Sequence, residues 1–237
     1  MASLKHQLYP IAGVLLACAA LIVGLTLAFG PNSGSETQEL RSEATEELPG
    51  PLSPEELAAY DATMVNEANP KAVITTNRGV IELELFEQTM PITAGNFIKL
   101  SEEGFYDGTK FHRVIENFMI QGGDPITKTD EYLRYGTGGP GYTIADEHVS
   151  DEHLSNVRGT IAMANSGPES GGSQFFINLV DNTNLDFDKE PAMSKHPVFG
   201  QVISGMDVVD EIGGVETGRN DIPAEDIVVE SIEIVRP

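Results

Sequence analysis

The chain has 237 residues, with 37 acidic against 14 basic side chains for a formal net charge of −23, 40% hydrophobic residues, one Cys and no Trp. That length admits one large domain or two small ones, and the hydrophobic share is enough for a packed core. The charge excludes a basic nucleic-acid or anionic-lipid surface, and a single Cys excludes a disulfide framework or a cysteine-based zinc site.

Ile11 to Phe29 is a run of 19 residues without a charge. As a helix it spans roughly 28 Å, close to the thickness of a bilayer core. Lys5 precedes it and an acidic segment follows, so the positive-inside bias puts the N-terminus in the cytoplasm and the rest outside. Residues 1–30 are therefore read as a single-pass anchor in the cytoplasmic membrane. A signal segment cleaved near Ala28-Phe29-Gly30, giving a secreted protein, is the alternative. Residues 31–69 read as an acidic linker rich in Glu, Ser, Thr, Gly and Pro. Such a stretch buries too little apolar surface to offset its ordering entropy. Within it, Ser53-Pro54-Glu55-Glu56 predicts the start of a short helix, with Ser as N-cap and Pro in the first turn.

Residues 70–237 form the third segment, which reads as mainly β. Ala72–Thr76 and Val80–Phe86 are strand-like and flank Asn77-Arg78-Gly79, which is hairpin chemistry. In the second run Ile81, Leu83 and Leu85 face one way and Glu82 and Glu84 the other, which predicts one buried and one wet face. Pro91 opens a helix that Gly104 closes. Further strands are expected at Lys110–Val114, Phe118–Gln121, Thr160–Ala164, Gln174–Leu179 and Val198–Ile203. A second helix is expected at Met206–Ile212, and a last alternating strand around Ile232–Ile234. Many short strands with two helices favour a closed antiparallel barrel or a sandwich.

Three chemical patterns fail on context. Gly136-Thr137-Gly138-Gly139-Pro140-Gly141 matches G-x-G-x-x-G but lacks the strand–turn–helix frame of a dinucleotide site. His148 and His153 are five apart in an acidic loop, better read as exposed histidines than as metal ligands. Asp181 to Asp188 lacks the glycine of a calcium loop. No pattern requires a metal or other cofactor.

Two segments carry a specific signal. One runs from Phe111 to Asp124 (FHRVIENFMIQGGD) and the other from Gly159 to Asn178 (GTIAMANSGPESGGSQFFIN), followed by His196-Pro197-Val198-Phe199-Gly200. Together they closely resemble the cyclophilin family of peptidyl-prolyl cis/trans isomerases, over essentially all of residues 71–237. The resemblance implies a closed eight-stranded antiparallel β-barrel capped by two helices. It also implies proline-containing polypeptide substrates, here folding or secreted proteins. A monomer is expected, with no nucleic-acid partner and membrane contact only through the N-terminal helix.

The residue types suit that chemistry. An X–Pro bond faces a rotation barrier of roughly 18–20 kcal/mol and isomerises over tens to hundreds of seconds. Acceleration needs no nucleophile, only a preference for the twisted amide. A guanidinium stays charged and presents rigid donors, so Arg113 is the candidate to donate to the prolyl nitrogen as its lone pair develops. By resemblance, Arg113, Phe118 and Gln121 are catalytic. Phe118, Met119, Phe176 and Leu185 form the proline pocket. Gln121, Asn165 and the backbone near Ala164 hold the peptide, with Ser166 beside them and Gln174 in support; His196 and Gly136 complete the rim. His112 is read as a satisfied structural histidine. Taken singly, Phe118, Phe176 and Leu185 are also what plain barrel core looks like. Asn184 stands where many cyclophilins carry Trp or Phe. Weak binding of cyclosporin-type cyclic peptides is therefore expected, and a proline-binding module without useful catalysis is the rival reading.

Overall fold

The computed structural model describes residues 68–189 and 195–237. The membrane span and the short linker helix read from the sequence lie outside them. Among the described residues no helix is long and apolar enough to cross a membrane. Eight strands and two helices follow in order: β1 (Lys71–Thr76), β2 (Gly79–Leu85), α1 (Pro91–Glu102), β3 (Arg113–Ile115), β4 (Met119–Gly122), β5 (Thr160–Met163), β6 (Phe175–Asn178), β7 (Val198–Ser204), α2 (Met206–Gly213) and β8 (Val229–Val235). All pairings are antiparallel, in the order β3-β4-β6-β5-β7-β2-β1-β8.

The sheet curls on itself, but its ladder does not close, which corrects the expected closed barrel. β3 and β8 are the two ends. The segment before β3 stitches the seam instead, with Phe111 N donating to Ile227 O at 2.9 Å, Gly108 N to Val229 O at 2.8 Å and Val229 N to Thr109 O at 2.8 Å. The strand expected from Lys110 therefore begins at Arg113, because Lys110 makes only single bridges, to Asp124 and Val228.

α1 begins with Pro91, whose missing N–H costs nothing in a first turn. The carboxylate of Glu147 reaches across 55 residues to accept from Ile92 N (3.1 Å) and Thr93 N (2.8 Å), so it satisfies two free donors and sits at the positive end of the helix dipole. The helix ends as expected at Gly104, with φ +66°. Gly104 N donates to Ser101 O and Phe105 N to Leu100 O, a Schellman closure that needs the left-handed residue.

The curled sheet has two apolar faces. Val114, Ile120, Ile161, Ile177 and Phe199 point inward to a core shared with Phe97 of α1 and Val209 of α2. Phe97 meets the rings of Tyr106, Phe175 and Phe199 at 5.2–5.4 Å. Ile115, Met119, Ala162, Phe176 and Val198 point the other way and form a second, smaller cluster. Strands apolar on both faces read as continuous hydrophobic runs, which is how Ile161–Met163 of β5 and Phe175–Ile177 of β6 look in sequence.

A further expectation about the sheet fails: Glu84, expected on the wet face, is 1% exposed. Asn69 Nδ2 donates to its Oε1 at 2.8 Å and Gln201 Nε2 to its Oε2 at 2.9 Å. Strand alternation identifies a face, not whether a neighbouring segment covers it.

Candidate active site

The register of five strands builds the site. Arg113 on β3 lies opposite Gln121 on β4, Gln121 opposite Phe176 on β6, Phe176 opposite Ala162 on β5, and Ala162 opposite Val198 on β7. Cross-strand partners share a face, so one row runs from a guanidinium through an amide to an aromatic ring and two small apolar side chains. Two residues further along β4, on the same face, sits Met119.

The polar end of the row is tethered. Arg113 Nη1 donates to Gln121 Oε1 (3.3 Å), Gln121 Nε2 to Gln174 Oε1 (3.0 Å) and Gln174 Nε2 to Gly138 O (2.8 Å). On its other side Arg113 Nε lies 3.5 Å from Asp221 Oδ2, an ion pair with both side chains about half exposed. Gln121 is thus held as an acceptor toward Arg113 because its other end is fixed as a donor. That orients the guanidinium without neutralising it.

The apolar end is a small cluster with a buried centre. Met119 (2% exposed) and Phe176 (5%) are covered, while Phe118, Ala164 and Leu185 pack on them and stay half-buried. His196 stands edge-on to Phe176 with centroids 5.3 Å apart. Its Nδ1 is 3.0 Å from Met163 O. A carbonyl only accepts, so Nδ1 carries the proton. Burial lowers the pKa of His196, partly offset by that bond, and the ring is neutral near pH 7.

The remaining expected residues divide. Gly136 lines a cleft with Arg113 and Gln121 that none of Phe118, Met119, Phe176 and Leu185 lines. Asn165 Nδ2 donates to Lys195 O (2.7 Å), thirty residues along the chain, and its Oδ1 accepts from Gly167 N (3.3 Å) in its own loop. Ser166 is exposed and its N–H donates to Ser170 Oγ at 2.8 Å. His112 is buried but not satisfied, against expectation: neither ring nitrogen closes a hydrogen bond. Burial pushes its pKa down, against the opposing pull of Asp124 and the Lys110 backbone, and Arg113 pushes it down further.

Sequence reasoning missed three supports. Asp124 is fully buried, and its carboxylate accepts from Ile126 N (2.8 Å), Gly136 N (2.6 Å) and Gly138 N (3.2 Å). It pins the glycine-rich loop whose Gly138 carbonyl anchors Gln174. A Cβ on Gly138 would collide with that carboxylate. Asp before Pro125 is a cap signature legible in the sequence. Behind Phe118 a group of asparagines forms the second support: Asn182 Nδ2 donates to Phe118 O (2.9 Å) and to Asn178 Oδ1 (2.8 Å). Asn156 Nδ2 donates to Asp186 Oδ1 and His196 O, both at 3.0 Å, fixing the Leu185 turn and the segment before β7 to one buried point. The third is Asp221.

Residues 71–234 match the family model described as cyclophilin type peptidyl-prolyl cis-trans isomerase/CLD. The chain belongs to the cyclophilin family. This cyclophilin is 44% identical over 167 residues to peptidyl-prolyl cis-trans isomerase B of Escherichia coli, covering 67% of this chain and 96% of that one. It is 40% identical over 164 residues to peptidyl-prolyl cis-trans isomerase-like 1 of Homo sapiens, covering 68% of this chain and 89% of that one. It spans 42% of a longer Streptococcus pyogenes relative named for phosphatase and isomerase activities, at 39% identity over 206 residues, 76% of this chain. The fold superposes with TM-score 0.59 and 28% identity on the crystal structure of a cyclophilin type isomerase from Cryptosporidium parvum, covering 71% of this chain and 99% of that one. The cyclophilin described here is a peptidyl-prolyl cis-trans isomerase.

Asp221 makes a separable test. It and Asn220 hold left-handed φ angles of +59° and +62°. Such a residue costs about 1–2 kcal/mol when it carries a Cβ. Asp221→Gly relieves that strain and removes the partner of Arg113. Thermal stability should stay level or rise while kcat/KM falls about threefold, the scale of a half-exposed ion pair. Asp221→Asn, which keeps the shape and drops the charge, should lose the same activity without the gain in stability.

Proposed function

We propose that this cyclophilin accelerates X–Pro rotation by donation from Arg113 to the prolyl nitrogen of the twisted amide, with the proline ring seated against Phe118, Met119, Phe176 and Leu185. The observation that supports this reading most is the cross-strand row that sets the tethered guanidinium beside the smaller apolar cluster, on which Phe118, Ala164 and Leu185 stay half-buried. A planar amide nitrogen has no lone pair to offer; the twisted one does. A fixed donor there stabilises the transition state more than either planar form, which is the requirement for raising kcat. No proton moves and no bond to the protein forms. A second crystal structure of the Cryptosporidium parvum protein was obtained in the presence of the dipeptide Ala-Pro, and a proline-containing peptide is the substrate class proposed here.

The test is a protease-coupled isomerisation assay on the full chain, comparing wild type with Arg113→Ala. Equal rates would remove Arg113 from the mechanism. Asn184 is exposed in the turn that carries Leu185 and offers neither an aromatic wall nor an indole donor. Cyclosporin should therefore inhibit only in the micromolar range or above; nanomolar inhibition would overturn this point. As for place, the uncharged run at 11–29, the preceding Lys5 and the acidic segment that follows support a retained single-pass anchor with the catalytic domain outside the cytoplasmic membrane, acting on secreted or envelope proteins as a monomer.

A further inference from the structure

Asn156 is fully buried in the loop before β5, and each of its polar atoms is engaged. Its backbone N and its Nδ2 both donate to Asp186 Oδ1, at 2.7 and 3.0 Å, and Nδ2 donates also to His196 O at 3.0 Å. Its Oδ1 accepts from Asn178 Nδ2 (3.2 Å) and its carbonyl from Asn182 N (2.7 Å). The partners lie 22 to 40 positions along the chain. A buried asparagine that joins loops is in general a feature of the fold. Here the bonds converge on one wall of the site.

That wall is Leu185. Its N–H donates to Asn182 O (2.8 Å) and its carbonyl accepts from His196 N (3.1 Å), and Asp186 follows it in the chain. Asn182, Asp186 and His196, the three residues that hold the two peptide groups of Leu185, are therefore all bonded to Asn156. The turn Thr183–Leu185 has little else to fix it. It has no side-chain cap, and Thr183 and Asn184 are exposed. The tie to Asp186 is the strong one. Ser155 Oγ donates to its Oδ2 at 2.6 Å, so both carboxylate oxygens are bound by consecutive residues. Hydrogen bonds to a charged acceptor are roughly twice as strong as neutral ones.

Leu185 itself is half-buried and packs on the cluster of Met119 and Phe176. An apolar wall carried on a turn is only as well placed as the turn. We propose that Asn156, acting through Asp186, is the positioning residue that sets Leu185 against the proline ring and so fixes the affinity for X–Pro substrates. The inference rests on the seating of the ring against Leu185 proposed above, and it divides the labour of the site: the Asn156–Asp186 clasp governs binding, and the tether of Arg113 governs turnover.

The test measures KM and kcat of the full chain, per folded molecule, with one X–Pro peptide. Asp186 is half-buried, so Asp186→Ala opens the clasp without emptying the buried centre. KM should rise about fivefold while kcat stays within about twofold of wild type, the pattern of lost uniform binding. Asp186→Asn should restore KM, because its amide oxygen still accepts from Asn156 and its NH2 group donates to Ser155 Oγ. Asn156→Ala should raise KM at least as far as Asp186→Ala does; should it fail to fold, the Asp186 variants decide. Leu185→Ala should raise KM about tenfold, the scale of one apolar contact. In that background Asp186→Ala should add nothing, since no wall is left to displace, whereas a role in the fold alone gives losses that add. Additive losses, or a wild-type KM for Asp186→Ala beside a raised one for Leu185→Ala, overturn the inference and leave the pocket standing. A wild-type KM for Leu185→Ala removes the pocket reading, and the inference with it.

Discussion

Replacing Arg113 by Ala should lower kcat about 10²–10³-fold and leave KM near its wild-type value. That range is what the loss of one fixed transition-state donor costs in enzymes that work by electrostatic stabilisation. The split between kcat and KM follows from the geometry. In the proposed mechanism ground-state binding rests on the apolar cluster of Phe118, Met119, Phe176 and Leu185, which the substitution does not touch. An interaction made only in the twisted state appears in kcat and kcat/KM equally. Arg113→Lys should recover little, because an ammonium is a point charge on a flexible stem and cannot both accept alignment from Gln121 and aim a planar N–H at the substrate. Gln121→Ala should fall between wild type and Arg113→Ala, since the guanidinium keeps Asp221 at 3.5 Å but loses its cross-strand partner. Single-turnover isomerisation of a chromogenic X-Pro peptide separates the two constants. A rise in KM with kcat intact would mean that Arg113 binds substrate without catalysing.

Local patterns and long-range ones were not equally legible. β1, β2, α1, α2 and β7 lie within two residues of their expected bounds, because period-2 alternation, Pro91 and Gly104 act within a few positions of the chain. The start of β3 was missed by three residues, since whether Lys110 joins a ladder depends on Asp124 and Val228, far along the chain. The same reason explains Glu84, whose cover comes from Asn69 and Gln201. Most of the expected site residues, Leu185, His196 and Gly136 apart, are legible because they sit in two continuous segments that resemble one family. Apart from Gln174, their supports are not. Asn156, Asn178 and Asn182 lie in or beside loops without periodicity, and Asp221 is set by a pair of left-handed residues that no composition signal announces. The row from Arg113 to Val198 joins residues up to 85 positions apart, and only the register makes it a row.

The largest effect on stability should come from Asp124→Ala. The carboxylate has no solvent exposure and accepts from three backbone N–H groups, two of them in the glycine-rich loop. Hydrogen bonds to a charged acceptor contribute about 1.5–3 kcal/mol each, and removal leaves buried donors unpaired. Partial rehydration of the loop offsets some of this, so a net loss of about 3 kcal/mol is expected. For a domain of this size that is a fall in Tm of about 6–12 °C. Activity should suffer beyond the loss of folded protein. Gly138 moves once its N–H is released; its carbonyl then no longer holds Gln174, Gln174 no longer fixes Gln121, and Arg113 loses its aligned acceptor. Measured well below the new Tm, kcat should drop about tenfold, equivalent to 1.36 kcal/mol of lost transition-state preference. Asp124→Asn should be nearly as damaging, since an amide keeps one acceptor oxygen but turns two donors toward a ring of donors. If kcat per folded molecule is unchanged in both variants, the tether from Asp124 to Arg113 is structural only, and the alignment of the guanidinium must come from Asp221 alone.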